Sequence, residues 1–237
     1  DTTAYTLSGN CGADGSNVTW KLEKNGDDLY CVTKTTDGTT SWRFYENEPA
    51  AEEGSTTNKV QAYTLTISGE GAMADYARNT TPWGLALAAK LLNEETTGNN
   101  VSDFCSPHIT QVVFTVDSNV TYIGAHAFRS TSISSITIPD SVKSIGDYAF
   151  IMCRQLKEIK ANDISDRAFF VDNDVLYENY TENGQSGVAL RFFPLAKWAG
   201  VDYTVDSRVT AIGSNSMQMS EIKSVTIPAS VRSINSY

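Results

Sequence analysis

The chain contains two imidazoles, His108 and His126, and the sequence around them offers neither a partner for chemistry. Histidine is the first side chain to look for where protons or metals are handled near neutral pH. No HExxH, GxSxG, Walker loop or paired-histidine motif accompanies these two. Both read as structural or surface residues. Asp172 and Asp174 in VDNDV are spaced like the start of a calcium loop. An EF-hand also needs an oxygen donor at its fifth position and glycine at its sixth. Leu176 and Tyr177 stand there instead, so a turn between strands is expected. The cysteines Cys11, Cys31, Cys105 and Cys153 form no CxxC and match no zinc spacing. A disulfide among the first three and free thiols remain open alternatives. No catalytic residue, metal ligand or cofactor is expected.

What remains is chemistry of contact. Tyr177, Tyr180, Phe192, Phe193 and Trp198 gather in one stretch. Aromatics of this kind anchor interfaces, but they also fill cores, and core packing is the simpler reading. A second candidate is a ladder of residues that alternate with apolar ones: Thr115, Ser135, Thr137, Glu158, Lys160, Thr204, Ser224 and Thr226. Most are small and polar, which makes an adaptable face. Glu158 and Lys160 are its only charges. The same residues would serve equally as an ordinary solvated sheet face.

These positions are set by a repeated phrase. SITIPDSVKSIGDY (135–148) and SVTIPASVRSINSY (224–237) share nine of fourteen aligned letters. The spacing apolar, x, apolar, three residues, Val, two residues, Ile occurs four times. The copies are Phe114/Val116/Val120/Ile123, Ile136/Ile138/Val142/Ile145, Tyr203/Val205/Val209/Ile212 and Val225/Ile227/Val231/Ile234. Alternation in the first pair is strand spacing, which turns these side chains inward and their neighbours outward. Pro139 and Pro228 close the strand, and the Ile-Gly pair reads as a turn. Three copies continue into Ala127-Phe128, Ala149-Phe150 and Ser216-Met217, a plug for the inner layer. A single coil cannot bury its apolar side, but stacked coils can. The phrase is explained by burial alone.

Bulk composition agrees. The 237 residues are 41% hydrophobic and only 19% charged, with a net charge of −10. That balance disfavours nucleic acid as a partner. Residues 1–108 hold 7 basic and 15 acidic side chains and carry most of the excess. The longest apolar stretch, WGLALAAKLL (83–92), is about half the length needed to span a bilayer. No signal peptide opens the chain, and it stops inside a repeat at Tyr237, so the natural molecule is expected to continue.

The phrases ISSITIPDSVKSIGDYAFIMCRQLKEI (133–159) and IKSVTIPASVRSI (222–234) resemble the BspA-like leucine-rich repeats of bacterial surface proteins. CGADGSNVTWKLEKNG (11–26) and YTLTISGEGAMADYARNTTPWG (63–84) resemble the module that precedes such repeats, here interrupted by 27–62. FFVDNDVLYENYTENGQSGVALRFFP (169–194) resembles a variant repeat that turns back as a hairpin. The resemblance implies a buried, free Cys153, a secreted or wall-attached location, and a protein ligand such as a host matrix or cell-surface protein.

The expected fold is mainly β with few short helices: a right-handed leucine-rich-repeat solenoid preceded by a β-rich N-terminal capping module. Residues 1–108 form the cap, with strands at 18–23, 30–34, 42–45 and 63–68. Its short helix near 82–95 has Thr81 as N-cap and Leu85, Ala88, Ala89 and Leu92 as apolar face, with Glu94 and Glu95 unfavourably at its end. Residues 109–237 form the solenoid, with an inserted hairpin near 169–194 bending at 182–187. The expected function is non-enzymatic recognition or adhesion through the sheet face. The alternatives are a spacer that presents another domain and a carbohydrate-binding module using the hairpin aromatics, Trp198 above all.

Overall fold

Alternation of apolar and polar residues over long stretches near the N-terminus dictates strands, and a computed structural model, which describes residues 7–14, 17–92, 105–161 and 168–235, shows them longer than the local pattern predicts. After β1 (Ser8–Asn10), β2 runs Val18–Thr36, β3 Thr39–Tyr45 and β4 Ser55–Ala72. The segment 27–62 is therefore largely strand: β2 and β4 stay paired from Val18↔Gly69 to Lys34↔Ser55, with one irregularity between Lys24 and Asp28. Its outer end, 34–39, is exposed on both faces, while Leu29, Cys31 and Val32 are buried.

Helix α1 (Pro82–Leu92) follows. Its buried residues are Trp83, Leu87 and Ala88, while Leu85 is 38% exposed. The expected face is thus turned by about one position. Trp83, with the largest apolar area, decides which side faces inward. Thr81 does not cap with its side chain: its hydroxyl is buried without a partner, and its carbonyl accepts from Leu85 N–H. Glu94 and Glu95 lie outside the described residues.

The repeats begin with β5 (Ile109–Phe114) and β6 (Asn119–Ile123), then β7 (Ser135–Ile138), β8 (Ser144–Ile145) and β9 (Glu158–Ala161). A meander of β10 (Phe169–Asp172), β11 (Val175–Glu182) and β12 (Gln185–Phe192) interrupts them. Then come β13 (Asp202–Thr204), β14 (Ala211–Ile212), β15 (Ser224–Thr226) and β16 (Ser233–Ile234). Coils stack by parallel pairing one repeat apart: Ile123↔Ile145, Ile136↔Ile159, Tyr203↔Val225 and Ile212↔Ile234. Strand β4 fills the place of a preceding coil, pairing in parallel with β5 through Tyr63–Ile67 and with β6 through Glu70–Ala72.

The glycine of the Ile-Gly pair proves to be about contact between coils, not turn conformation. A Cβ on Gly124 would stand 1.8 Å from the carbonyl oxygen of Ala74, and one on Gly146 2.4 Å from the nitrogen of Ala125, both in the structure beneath. The left-handed residues are elsewhere in the phrase: His126 and Ser130, then Tyr148 and Met152, then Asn215 and Met219, with φ between 57° and 63°. Such conformations cost non-glycine residues roughly 1 kcal/mol each. Bonds from one coil to the next hold them: His126 N–H to Asp147 C=O, and Ser130 N–H to Ile151 C=O.

The meander divides the interior in two. Leu176 joins the first apolar cluster, with Phe128, Phe150 and Cys153. Its neighbours Val175 and Tyr177 join the second, with Phe193, Tyr203 and Val209. The period-two alternation of a strand makes this possible. The VDNDV segment holds the two-residue turn between β10 and β11, left-handed at Asn173 and Asp174. The second bend is Asn183-Gly184. Strand β12 restores the repeat phase, since Leu190 pairs in parallel with Ile212.

Two copies depart from the inward pattern. Val116 is fully exposed, because the chain leaves β5 after Phe114 and turns. In the last copy Val225, Ile227 and Ile234 are 41%, 43% and 62% exposed, as no coil among the described residues stacks upon them.

Among the polar contacts that join the N-terminal strands to the chain that follows, two involve titratable groups. Asp75 accepts from Tyr122 Oη at 2.6 Å and from Ala125 N–H at 2.8 Å. The Ala125 bond, then the Tyr122 bond, hold its carboxyl below the ordinary value. A depressed carboxylate stabilises the fold above its unfolded pKa, and that contribution is lost as pH falls through the folded one. Asp75→Asn is expected to cost about 1 kcal/mol in urea unfolding at neutral pH, given its exposure, with the difference from wild type vanishing in acid. His108 donates from Nδ1 to Gln61 C=O at 2.8 Å, and burial pushes its pKa below 6.5. Protonation must then oppose burial, so stability present above 6.5 is lost as pH falls through the lower folded value. His108→Gln, which keeps a donor but does not titrate, is expected to flatten the stability profile below pH 6.5.

Candidate binding surface

Inward burial of Ile136, Ile138 and Ile159 leaves the alternate side chains of β7 and β9 outside. Ser135 lies opposite Glu158 and Thr137 opposite Lys160. Glu158 and Lys160 pair with each other at 3.0 Å, both well exposed, so the patch presents little net charge. The second ladder places Asp202 opposite Ser224 and Thr204 opposite Thr226. Ser224 Oγ donates to Asp202 at 2.6 Å and Lys223 Nζ at 3.1 Å. These two bonds, Ser224 first, hold the Asp202 carboxyl below its ordinary range. Asp202 escaped the sequence reading, although it stands one residue before Tyr203, the place that Ser135 and Ser224 take in their copies.

Seven of the eight ladder residues lie on two separate strand pairs. Ser135, Thr137, Glu158 and Lys160 share the first, and Thr204, Ser224 and Thr226 the second. Thr115 belongs to neither. It follows β5, which pairs with β4, and its N–H donates to Ile67. It and Thr137 both line an open cleft of about 880 Å³.

Trp198 is also apart. Its ring lies edge-on to Tyr203 at 5.1 Å and tilted to Phe193 at 6.0 Å, with the Lys197 ammonium 5.3 Å from its centroid. The other hairpin aromatics are similarly engaged. Tyr177 and Phe193 are buried, Phe192 packs on Phe150, and Tyr180 Oη contacts the Thr210 hydroxyl.

A further concavity was not legible in the sequence. A groove of about 470 Å³ lies between β3 and the repeat turns, with Trp42 and Phe44 on one side and Met152, Arg154 and Leu195 on the other.

Reactive groups are muted. All four cysteines are free and buried. Burial pushes Cys11 and Cys153 up to about 12 and Cys105 to about 11, so none is a thiolate near neutrality. Cys153 donates to Phe128 C=O at 3.1 Å, inside the coil. Among the described residues no three His, Cys, Asp or Glu side chains cluster as metal ligands, and no helix is long and apolar enough to cross a membrane.

Residues 100–181 and 201–237 match the family described as "BspA type Leucine rich repeat region", in six copies. No curated protein matches the chain. Three solved bacterial structures are similar. A leucine rich cell surface protein from Faecalibacterium prausnitzii A2-165 is 28% identical, over 56% of this chain and 32% of its own, with a TM-score of 0.46. The pneumococcal vaccine antigen PcpA is 20% identical, over 54% and 30%, at 0.46. A leucine-rich repeat protein from Eubacterium ventriosum ATCC 27560 is 21% identical, over 74% and 59%, at 0.44. The chain spans a third or less of the length of the first two and three fifths of the third. The superpositions are partial, and family membership rests on the repeat match.

The packing of Trp198 makes a prediction. Trp198→Ala is expected to destabilise the chain by roughly 3 kcal/mol in urea unfolding, the lower end for losing a large aromatic because the ring is half-buried. A well-folded variant with unchanged stability and altered binding on a glycan array would instead assign the ring to a ligand.

Proposed function

The chain belongs to the BspA-type leucine-rich-repeat family, and from that premise we propose that it is a non-enzymatic recognition protein of the bacterial surface, binding a protein ligand through the outward ladders of its solenoid. The reading takes residues 1–108 as a cap over one end of a right-handed stack and 109–237 as the stack itself. The surface location follows the family. The observation that carries the binding role is the division of labour within each strand. Ile136, Ile138 and Ile159 are at most 2% exposed, while Ser135, Thr137 and Lys160 between them are exposed. Packing accounts for the first set and places no demand on the second beyond solubility. Apart from the paired Glu158 and Lys160, the exposed set is small and hydroxylated, which suits a protein surface more than a phosphate backbone. A host matrix or cell-surface protein is the partner class this reading favours.

Surface plasmon resonance of the chain over immobilised matrix proteins and epithelial surface proteins tests it. Saturable binding to at least one is expected, weakened about tenfold or more by Thr137→Arg or Thr226→Arg. Both substitutions lie on exposed strand positions and leave the core intact. Absence of saturable binding across the panel, or binding indifferent to both variants, overturns the proposal.

A further inference from the structure

Five strands, β2, β4, β5, β7 and β9, turn Leu22, Leu65, Val112, Ile136 and Ile159 into one apolar cluster. Their alternate residues therefore share one outward face. The registers lay that face out. Lys21 stands opposite Thr66, Thr66 opposite Val113, and Ser135 opposite Glu158. No ladder joins β5 to β7 among the described residues, but Ser132 N–H donates to Ile109 C=O. Between parallel neighbours that bond sets Ser132 opposite Thr110 and Ser135 opposite Val113, the same 22-residue step as Ile123↔Ile145.

One row across the sheet thus reads Lys21, Thr66, Val113, Ser135, Glu158. A cation stands at one end and a carboxylate at the other, with side chains 59% and 43% exposed. Hydroxyls lie between them, and Val113, 44% exposed, is at the centre. Four inter-strand steps of about 4.8 Å separate the two ends by roughly 19 Å. Turned over about an axis along β5, the row matches itself: Lys21 falls on Glu158, Thr66 on Ser135 and Val113 on Val113. Each end charge has a neighbour in its own strand, Glu23 at 2.8 Å from Lys21 and Lys160 at 3.0 Å from Glu158. Exposed pairs of this kind are weak, so either charge can take a second partner.

We propose that this face is a contact between two copies of the chain, packed sheet on sheet about a two-fold axis that runs along β5 at Val113. Aligned sheets pack about 10 Å apart, a gap that a lysine and a glutamate bridge from opposite sides. Two-fold symmetry makes the Lys21–Glu158 contact twice. Five strands by three rows about 7 Å apart cover roughly 500 Å² per copy, at the low end of specific interfaces, so the dimer is weak and reversible. It covers the first ladder and leaves the second, with Thr204 and Thr226, to a ligand. The dimer does not rest on the ligand reading, because it forms with no ligand present.

Sedimentation equilibrium of the 237-residue chain tests the assignment, at loadings from about 5 to 500 μM. In about 0.15 M salt the Debye length is about 8 Å, so the net charge of −10 is screened while charges in contact keep their attraction. A monomer–dimer equilibrium is expected. Lys21→Glu sets two carboxylates against each other across the axis, and Glu158→Lys sets two ammonium groups. Each should weaken the dimer by about tenfold or more. The double reversal restores opposite charges and should return the dimerisation constant to within about threefold of wild type. Urea midpoints should stay unchanged, since both positions are exposed. Monomer at every loading, a dimer indifferent to either single reversal, or a double reversal that stays dissociated overturns the proposal.

Discussion

One column of aromatic rings ties the molecule together. Trp20 meets Trp83 edge-on at 6.2 Å, Trp83 stacks on Phe128 at 6.2 Å, Phe128 on Phe150 at 5.7 Å, and Phe150 meets Phe192 at 5.3 Å. Its members come from β2, α1, two successive coils and the meander, so the column crosses every boundary in the first part of the fold. Each ring buries a large apolar area, and offset or edge contacts add roughly 0.5–1.5 kcal/mol per pair. The repeats need this column because their own strands are short. A two-residue strand such as β8 contributes few ladder bonds, and the ring behind it supplies the burial that fixes its place.

The meander shows how such a stack tolerates interruption. A coil has one inner side, but β11 and β12 offer two, because successive residues face opposite ways. Leu176 and Phe192 close the first core, and Tyr177 and Phe193 open the second. Leu190 then pairs with Ile212, returning the chain to register for the coils that follow. Ion pairs support the insertion from outside, with Arg208 bound to Asp172 and Asp206, and Lys197 to Asp174. The aspartates that looked like half a calcium loop are partners for cations of this same chain.

What the sequence revealed follows from what repeats. Inward Ile and Val positions and the Ala-Phe plug recur at fixed spacing, and burial is a property of spacing, whereas the buried Cys153 was implied by the family resemblance. Most of the left-handed residues were hidden because Tyr, Ser and Met have no preference for that conformation. In the first repeat, bonds to the following coil hold them, His126 N–H to Asp147 C=O and Ser130 N–H to Ile151 C=O. The glycines were legible as letters but not as causes, since a turn and a close approach leave the same mark. The helix face was misjudged because two faces satisfied the period and only the size of Trp83 chose between them. For the candidate surface, alternation gave the outward residues but not their separation into two patches. That depends on β5 preferring β4 to β7, a pairing between distant segments. The groove beside β3 was invisible for the same reason: it lies between residues more than a hundred positions apart, as the Gln155–Phe44 bond records.

These constraints explain why binding, if it evolves here, evolves at the periphery. Every inward position in a coil is held by its neighbours above and below, so a change there is felt by both. The outward positions carry no such obligation. On the ladders, the Glu158–Lys160 and Asp202–Lys223 pairs are exposed and individually weak, so other side chains can replace them without disturbing the stack. A stack whose interior is determined by period, and whose exterior is nearly unconstrained, can keep its architecture while its contact residues change. The departures from the period are therefore the places where the contact surface carries information specific to this chain.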